Sequence, residues 1–131
     1  MSDADTSTRI TEVGRVMVPV ADQDRAIEFY GGMLGFEKRA DVPYGDGERW
    51  VEVAPPGAAT SIALVPARES EAGGVMTRIA LTSDDIGADH AELRERGVDV
   101  DAELMGGDGT VPRMFFFRDQ DGNSLLCVAR A

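Results

Sequence analysis

The chain has 131 residues, which suits one domain with its own core, and 43% of them are hydrophobic. Aspartate and glutamate number 24 against 13 lysines and arginines, so the formal net charge is −11. Such a field repels phosphate groups, and we expect neither nucleic acid nor an anionic membrane surface as a partner.

The cysteine content and the length of the apolar runs indicate in which cellular compartment the protein is expected. Cys127 is the only cysteine, so an internal disulfide is excluded. No apolar run approaches the ~20 residues that span a bilayer. The polar, acidic start of the chain is unlike a signal peptide. We therefore expect a cytoplasmic protein in which residues 1–12 form a flexible tail.

The first half of the chain reads as a strand, a helix and three strands. Residues 13–20 are rich in Val and Met and predict a strand, after which Asp22 is a good N-cap. Apolar residues at helical spacing follow up to Gly35, whose freedom to adopt a positive φ ends the helix. Residues 36–42, 49–53 and 61–65 predict strands, with turns at PYGDG and PPG between them.

The same order then repeats. We predict a strand over residues 76–82, a helix from Asp84 or Asp85 to Arg96, and strands over residues 98–102, 114–118 and 124–128. The two helical segments, 22–35 and 84–97, have equal length, which indicates a duplicated unit. The prediction is one domain, with unit one at about 13–66, a linker at about 67–74 and unit two at about 75–129.

This order predicts an α+β fold, in which two tandem β-α-β-β-β units form a curved mixed sheet with the helices outside. Each unit has a single helix to cover its strands, so pairing the units leaves a concave cleft on the other side. We expect function in that cleft.

Three motifs in this order carry a resemblance. They are VPVADQDRAIEFY from Val18 with LGF at 34–36, the helix 86–97 with Val98, and FRDQDGN at 117–123. Together they resemble the vicinal oxygen chelate superfamily, which contains glyoxalases, bleomycin-resistance proteins and dioxygenases. The resemblance covers residues 14–128 and implies the fold just described, and it also implies a homodimer.

Enzymes of that superfamily hold one divalent metal in the cleft, and the resemblance places its four ligand positions on Arg15, Glu52, Arg78 and Leu126. Only Glu52 has a donor that metals accept, because a guanidinium stays protonated and has no lone pair to give. Each arginine would also repel a divalent ion by several kcal/mol, at ~4 Å and an effective dielectric constant of ~20. We therefore expect no metal and no other cofactor.

Strand alternation predicts which other side chains line the cleft. Trp50 points the same way as Glu52. On the seventh strand, either Phe115 with Phe117 or Met114 with Phe116 faces the cleft, and sequence alone leaves this open. The predicted ligand-binding set takes the first pair and comprises Arg15, Trp50, Glu52, Arg78, Phe115, Phe117 and Leu126, with Met17 beside them.

The charges in this set allow two interpretations. In the first, a structural ion pair among Arg15, Glu52 and Arg78 fills the former metal site. In the second, these residues contact a ligand, and an anionic group of the ligand neutralises the second arginine. Glu52 is the one candidate general base, and the arginines are expected to lower its pKa and leave it unreactive. His90 is expected on the outer layer, solvated or partly packed, and Cys127 under the helices with no histidine to activate it.

Three functions remain open from the sequence. The first is a metal-independent protein that binds a small aromatic or amphipathic molecule, as the resemblance to antibiotic-binding relatives implies. The second is a lyase or isomerase of the glyoxalase type that acts through Glu52, with or without an atypically bound metal. The third is a non-catalytic dimeric scaffold.

Overall fold

A computed structural model gives the fold of residues 8–131. The predicted flexible tail falls mostly on residues 1–7, which lie outside the described part of the chain. Residues 8–12 are exposed and belong to no helix or strand. Among the described residues, no helix has the length and apolar character needed to cross a membrane.

Within residues 8–131, eight strands and two α-helices follow one another in the order that the sequence predicts. They are β1 (Arg15–Val20), α1 (Gln23–Glu28), β2 (Glu37–Tyr44), β3 (Glu48–Ala54), β4 (Ser61–Pro66), β5 (Met76–Ser83), α2 (Ile86–Glu95), β6 (Asp99–Val100), β7 (Met114–Arg118) and β8 (Ser124–Ala129). A π-helical segment, Phe29–Met33, extends α1, and a single 3-10 turn, Glu69–Glu71, lies in the linker. The α+β class is confirmed.

The strands form two open four-stranded sheets rather than one. The first has the order β1-β4-β3-β2 and the second has the matching order β5-β8-β7-β6. In each sheet the first and last strands of the unit run parallel and the other pairs run antiparallel. Because β1 and β5 each have a neighbour on one side alone, the expected continuous sheet is not formed within the chain.

The first helix begins where its capping residue predicts. The Asp22 carboxylate accepts hydrogen bonds from the backbone N–H groups of Asp24 and Arg25, at 2.9 and 3.2 Å. Ala26 and Tyr30 face the core. Gly35 ends the segment with a φ of +77°, a conformation that side chains with a Cβ rarely adopt.

The sixth strand is shorter than predicted, with two residues instead of the range 98–102. At its start, the Val98 N–H donates to the carbonyl of Leu93 at 3.0 Å and so completes the end of α2. Past its end, the Asp101 N–H still bonds to Phe116, at 3.0 Å. Val98, which the apolar pattern assigns to the strand, is therefore part of the end of the helix.

A buried polar network joins the two units. The Tyr30 hydroxyl donates to Asp119 Oδ2 at 2.8 Å, and Asn123 Nδ2 donates to the same oxygen at 2.9 Å and to the carbonyl of Pro19 at 2.8 Å. Burial first, and the Asp119 carboxylate next, hold the pKa of Tyr30 far above its ordinary value. The turn before β8 is therefore fixed to the end of β1.

One hydrophobic core serves both units. It includes side chains from β1, β3 and β4 of the first unit and from α2, β7 and β8 of the second. These strand residues alternate with others that point to the opposite, open face of their sheet. The open faces, away from the helices, are where the sequence places the functional residues.

Candidate functional site

Strand alternation gives the first sheet an open face with a mixed polar and apolar surface. Arg15 and Met17 lie on this face of β1, while Val16, Val18 and Val20 point to the core. The same alternation on the neighbouring strands adds residues to this surface, namely Ala40, Val42 and Tyr44 of β2, Trp50 and Glu52 of β3, and Ser61 and Ala63 of β4. We call this surface the first open face.

Glu52 is the centre of a hydrogen-bonded cluster on the first open face. Its Oε2 accepts from Trp50 Nε1 at 2.5 Å and from Arg15 Nε at 3.1 Å, and its Oε1 accepts a short bond from the Ser61 hydroxyl. The residue is 8% exposed. The predicted contact between Arg15 and Glu52 is therefore present, and Trp50 is part of it.

The hydrogen bonds keep Glu52 ionised. The Ser61 hydroxyl and then the Trp50 indole lower its pKa most, and Arg15 adds to them, while burial acts in the opposite direction. The direction agrees with the expectation, but the leading donors are neutral groups. Ser61 was not among the predicted residues, although its place opposite Arg15 in the parallel β1–β4 pair follows from the strand order.

Only one of the three guanidinium nitrogens of Arg15 takes part in this cluster. One bond, from Nε, reaches Glu52, and the side chain is 51% exposed. No partner of its two terminal nitrogens is found within residues 8–131. These N–H groups are available to an oxygen of a bound molecule.

Aromatic and aliphatic side chains flank the polar cluster. The rings of Tyr44 and Trp50 meet edge to face, with centroids 6.5 Å apart and planes at 68°. Met17, Val42 and Tyr44 are 60%, 51% and 47% exposed. The PYGDG motif predicts a turn at Tyr44, whereas β2 continues through this residue. The alternation of Ala40, Val42 and Tyr44 is the signal for the longer strand.

The second sheet corrects one prediction. Phe115 and Phe117 are fully buried in the core, where Phe115 stands opposite Cys127 and Phe117 opposite Leu125. The other pair, Met114 and Phe116, takes the open face and is only partly buried. The side chains of Phe115 and Phe117 point to the core, where the ring of Phe115 packs edge to face against His90 with the ring centroids 5.0 Å apart.

Leu126 lies on the open face of the second sheet, between Ala80 of β5 and Phe116 of β7. We call the surface around these residues, with Thr82, Met114 and Val128, the second open face. Cys127, next to Leu126, points to the core as expected.

Arg78 stands apart from the Glu52 cluster. It has a φ of +62° at an irregularity of the β5–β8 register, which is a strained conformation for a residue with a side chain. It lines a groove of about 840 Å³ between β5 and the loop 55–60. No hydrogen bond or ion pair of its side chain occurs in the described range, so the expected trio with Arg15 and Glu52 is not assembled within one chain.

His90 is more buried than expected. It is 9% exposed, and its Nε2 lies 2.7 Å from the carbonyl oxygen of Asp101. Its position in the core of unit two removes it from both open faces.

The residues at the four metal-ligand positions do not fit a divalent metal. The Glu52 oxygens already accept three hydrogen bonds, and Arg15, Arg78 and Leu126 have no electron pair to offer. Over residues 8–131, no group of three His, Cys, Asp or Glu side chains has the geometry to hold a metal ion. The site therefore presents hydrogen-bond donors and aromatic surface.

Comparison with known proteins agrees with this architecture. The sequence model of the Glyoxalase/Bleomycin resistance protein/Dioxygenase superfamily matches residues 12–126. The uncharacterized protein YetH of Bacillus subtilis (strain 168) is 32% identical over 120 residues, which are 89% of this chain and 97% of YetH.

Two solved structures are similar over almost the whole chain. TnmS3, an antibiotic binding protein from Streptomyces sp. CB03234, is 36% identical with a TM-score of 0.80, and the match covers 95% of this chain and all of TnmS3. A superfamily member from Sphaerobacter thermophilus DSM 20745 is 33% identical with a TM-score of 0.86, covering 94% of this chain and all of that one.

Proposed function

We propose that this chain, which belongs to the Glyoxalase/Bleomycin resistance protein/Dioxygenase superfamily, binds a small planar aromatic molecule on its first open face without a metal. The observation that carries the proposal is the Glu52 cluster. Three donors hold the carboxylate and fix the Trp50 indole beside it. A fixed indole next to exposed apolar side chains is a suitable stacking surface for a planar ring.

The donors of Arg15 that Glu52 leaves free indicate which polar group the ligand would carry. Its terminal nitrogens can donate to a carboxylate, phenolate or carbonyl oxygen of the ligand, and Glu52 holds the guanidinium in place from the other side. The similarity to TnmS3, an antibiotic binding protein, supports a binding role of this kind.

Catalysis through Glu52 has less support. A general base needs a pKa near the working pH, and the neighbours of Glu52 lower its pKa from a value that is already acidic. Proton abstraction would also break the bonds from Trp50 and Ser61. A lyase or isomerase therefore requires a rearrangement of the cluster.

A second copy of the chain would complete the site. The first open face leaves Met17, Val42 and Tyr44 exposed, and β1 and β5 are both edge strands that lack a second neighbour. In a homodimer, the second open face of the partner would cover this surface and bring the partner's Arg78 toward it. Such an arrangement encloses a ligand on both sides.

Trp50 allows a direct test of binding because it is the only tryptophan. Anthraquinone-2-carboxylate, which is planar and anionic, is titrated into the protein, and Trp50 fluorescence is followed. We expect saturable quenching, and none with cyclohexanecarboxylate. Arg15→Gln is expected to weaken binding by about tenfold or more, since a charge-assisted hydrogen bond contributes roughly 1.5–3 kcal/mol.

The control is Arg25→Gln, which removes an exposed arginine from α1 and leaves the open face intact. Its affinity is expected to match that of the unchanged protein. Calorimetric titration of Trp50→Phe, which keeps an aromatic ring, separates lost binding from a lost fluorescence signal. Absence of binding for this compound and for a panel of other planar aromatics, with the protein folded, would refute the proposal and favour the scaffold alternative.

Sedimentation equilibrium tests the homodimer separately. We expect a dimer for the unchanged chain and a shift toward monomer for Met17→Glu, because a charge is then placed on the apolar open face. Ala91→Glu adds the same charge to an exposed position of α2 and is expected to leave the dimer unchanged. A monomer at all concentrations would contradict this part.

A further inference from the structure

A second pocket lies on the seam between the two units, and of the residues named for the two open faces only Thr82 lines it. It has a volume of about 340 Å³, at the lower end of the ~300–1,000 Å³ usual for small-molecule sites. It separates α2 from the segment that follows α1. We call it the seam pocket. Its apolar wall includes Leu34, Phe36, Leu81, Leu93, Phe117 and Cys127.

The polar rim of the seam pocket comes mainly from α2. Asp89, Glu92 and Arg96 follow one another at intervals of three and four residues, and thus share the helix face that borders the pocket. Leu93 lies on the same face and is buried. One side of α2 therefore supplies both the charges and part of the apolar wall.

The positive charge of the rim is already paired. Arg96 donates to Glu92 Oε1 and to the carbonyl oxygen of Met33, both at 2.6 Å. These bonds use both terminal nitrogens of the guanidinium and cancel the charge of Glu92. With Asp89, the rim carries one more negative than positive charge, so the pocket is poorly suited to an anionic ligand.

Asp89, by contrast, has no cationic partner within residues 8–131. Its Oδ2 accepts from the Ser83 hydroxyl at 2.6 Å, and no hydrogen bond to its Oδ1 is found over the same range. Asp89 is an exposed residue that borders the apolar wall of the pocket, so a cation held between the two is less screened by water than one in open solvent. The net charge of −11 raises the local concentration of cations further.

We propose that the seam pocket binds a small organic cation with an apolar body, its ammonium group against Asp89 and its apolar part against the pocket wall. This site is independent of the ligand proposed for the first open face. The two sites would bind groups of opposite charge, because Arg15 borders the first open face and Asp89 borders the seam pocket.

Cys127 offers a specific reporter of occupancy because it is the only cysteine and forms part of the pocket wall. It is 7% exposed, and burial, with Asp89 as the second cause, raises the pKa of its thiol to about 11. Alkylation by iodoacetamide is therefore slow and sensitive to anything that fills the pocket. Mass spectrometry of the intact protein gives the rate.

The experiment compares 4-phenylbutylamine with 4-phenylbutanol, which has the same apolar body and no charge. At pH 8.5 the amine is expected to slow the alkylation of Cys127 at least threefold at saturation, at a concentration about tenfold lower than the alcohol requires. Trp50 fluorescence is recorded in the same samples and is expected to stay constant. A change in both signals would mean that the amine acts at the first open face or on the whole fold, and would overturn the assignment.

Two substitutions test whether Asp89 is the carboxylate that binds the ammonium group. Asp89→Asn keeps an acceptor for Ser83 and is expected to abolish the advantage of the amine, whereas Glu95→Gln removes a charge from an exposed position of α2 outside the pocket and is expected to preserve it. Equal protection by amine and alcohol in the unchanged protein would refute the role of Asp89, even if Asp89→Asn fails to fold. Absence of protection by either compound would refute the site.

Discussion

Glu52 is a buried carboxylate that is held mostly by neutral donors. The resemblance to the superfamily predicts its neighbour Arg15, because it implies a metal-ligand position at each of these two residues. The bonds from Ser61 and Arg15 depend on the pairing of β4 with both β1 and β3, which brings residues 9 and 37 positions away in sequence to the same side chain. Trp50 lies two positions from Glu52 on β3 itself. The Glu52 carboxylate thus holds the side chains of Trp50 and Arg15 through hydrogen bonds.

The pH dependence of stability tests this role. Because the folded-state pKa of Glu52 lies below its ordinary value of 4.5, the group stabilises the native state above that pH, and the contribution is lost as the pH falls through the folded-state pKa. We expect Glu52→Gln to lower the free energy of unfolding by roughly 1–3 kcal/mol at pH 7 and by much less near pH 3. Urea unfolding between pH 3 and 7 measures this difference.

Glu12→Gln, at an exposed position before β1, is the matched control and is expected to leave the unfolding curve at pH 7 unchanged. A Glu52→Gln protein with the same loss at pH 3 as at pH 7 would mean that the ionised form is not the one stabilised.

At the scale of elements, the two units depend on contacts that cross between them. Tyr30 from the first unit bonds to Asp119 of the second, and Gly74 at the end of the linker packs against the backbone of Gly122. The sequence predicts the helix and the turn that contain these residues. It does not predict that they meet, because nothing in a local pattern encodes the packing of one unit on the other.

The hydroxyl of Tyr30 is the part of this contact that a substitution removes most cleanly. We expect Tyr30→Phe to lower the free energy of unfolding by roughly 1–3 kcal/mol, since the buried Asp119 carboxylate loses a donor while the ring still fills the core. Thermal and urea unfolding measure the change. Tyr44→Phe removes an exposed hydroxyl and is expected to change stability far less; an equal loss in both variants would contradict the role of the network.

Gly74 and Gly73 form a matched pair for the second contact. Both have positive φ, at +99° and +86°, but a Cβ on Gly74 would clash with the Gly122 backbone, whereas one on Gly73 meets open space. Both alanine variants carry the backbone cost of about 1 kcal/mol, and we expect Gly74→Ala to lose clearly more. Urea unfolding of the two variants gives the difference, and equal losses would show that the linker does not press against that turn.

At the scale of the whole molecule, charge is the dominant property. Negative residues exceed positive ones by 11, and most of the ion pairs in the described chain are at least partly exposed. Exposed pairs contribute little to stability, while the excess charge repels itself in the compact state. Six of the 12 arginines form ion pairs within residues 8–131, and the protein remains strongly anionic outside those pairs.

This balance predicts the response to salt. We expect the melting temperature to rise as NaCl increases from about 10 mM to about 500 mM, because the Debye length falls from ~30 Å at 10 mM to below ~8 Å and screens the repulsion. Scanning calorimetry measures the shift, and KCl serves as the control for a specific ion effect. A melting temperature that falls with salt would indicate that attractive pairs outweigh the repulsion.

The sequence by itself determined the order of elements, the duplication and the α+β class, because periodicity, caps and turn residues act over a few neighbouring positions. The resemblance to the superfamily also places its four metal-ligand positions on residues that offer one carboxylate between them, and that inference needs only the identity of the side chains.

Tertiary structure decided which face of β7 is buried, which donors hold Glu52, and that Arg78 lies away from it in the same chain. It also created the seam pocket. The Glu52 cluster and the buried face of β7 arise from packing within one unit, whereas the seam pocket arises where the two units meet. All of them depend on contacts between residues apart in sequence, which local patterns do not encode.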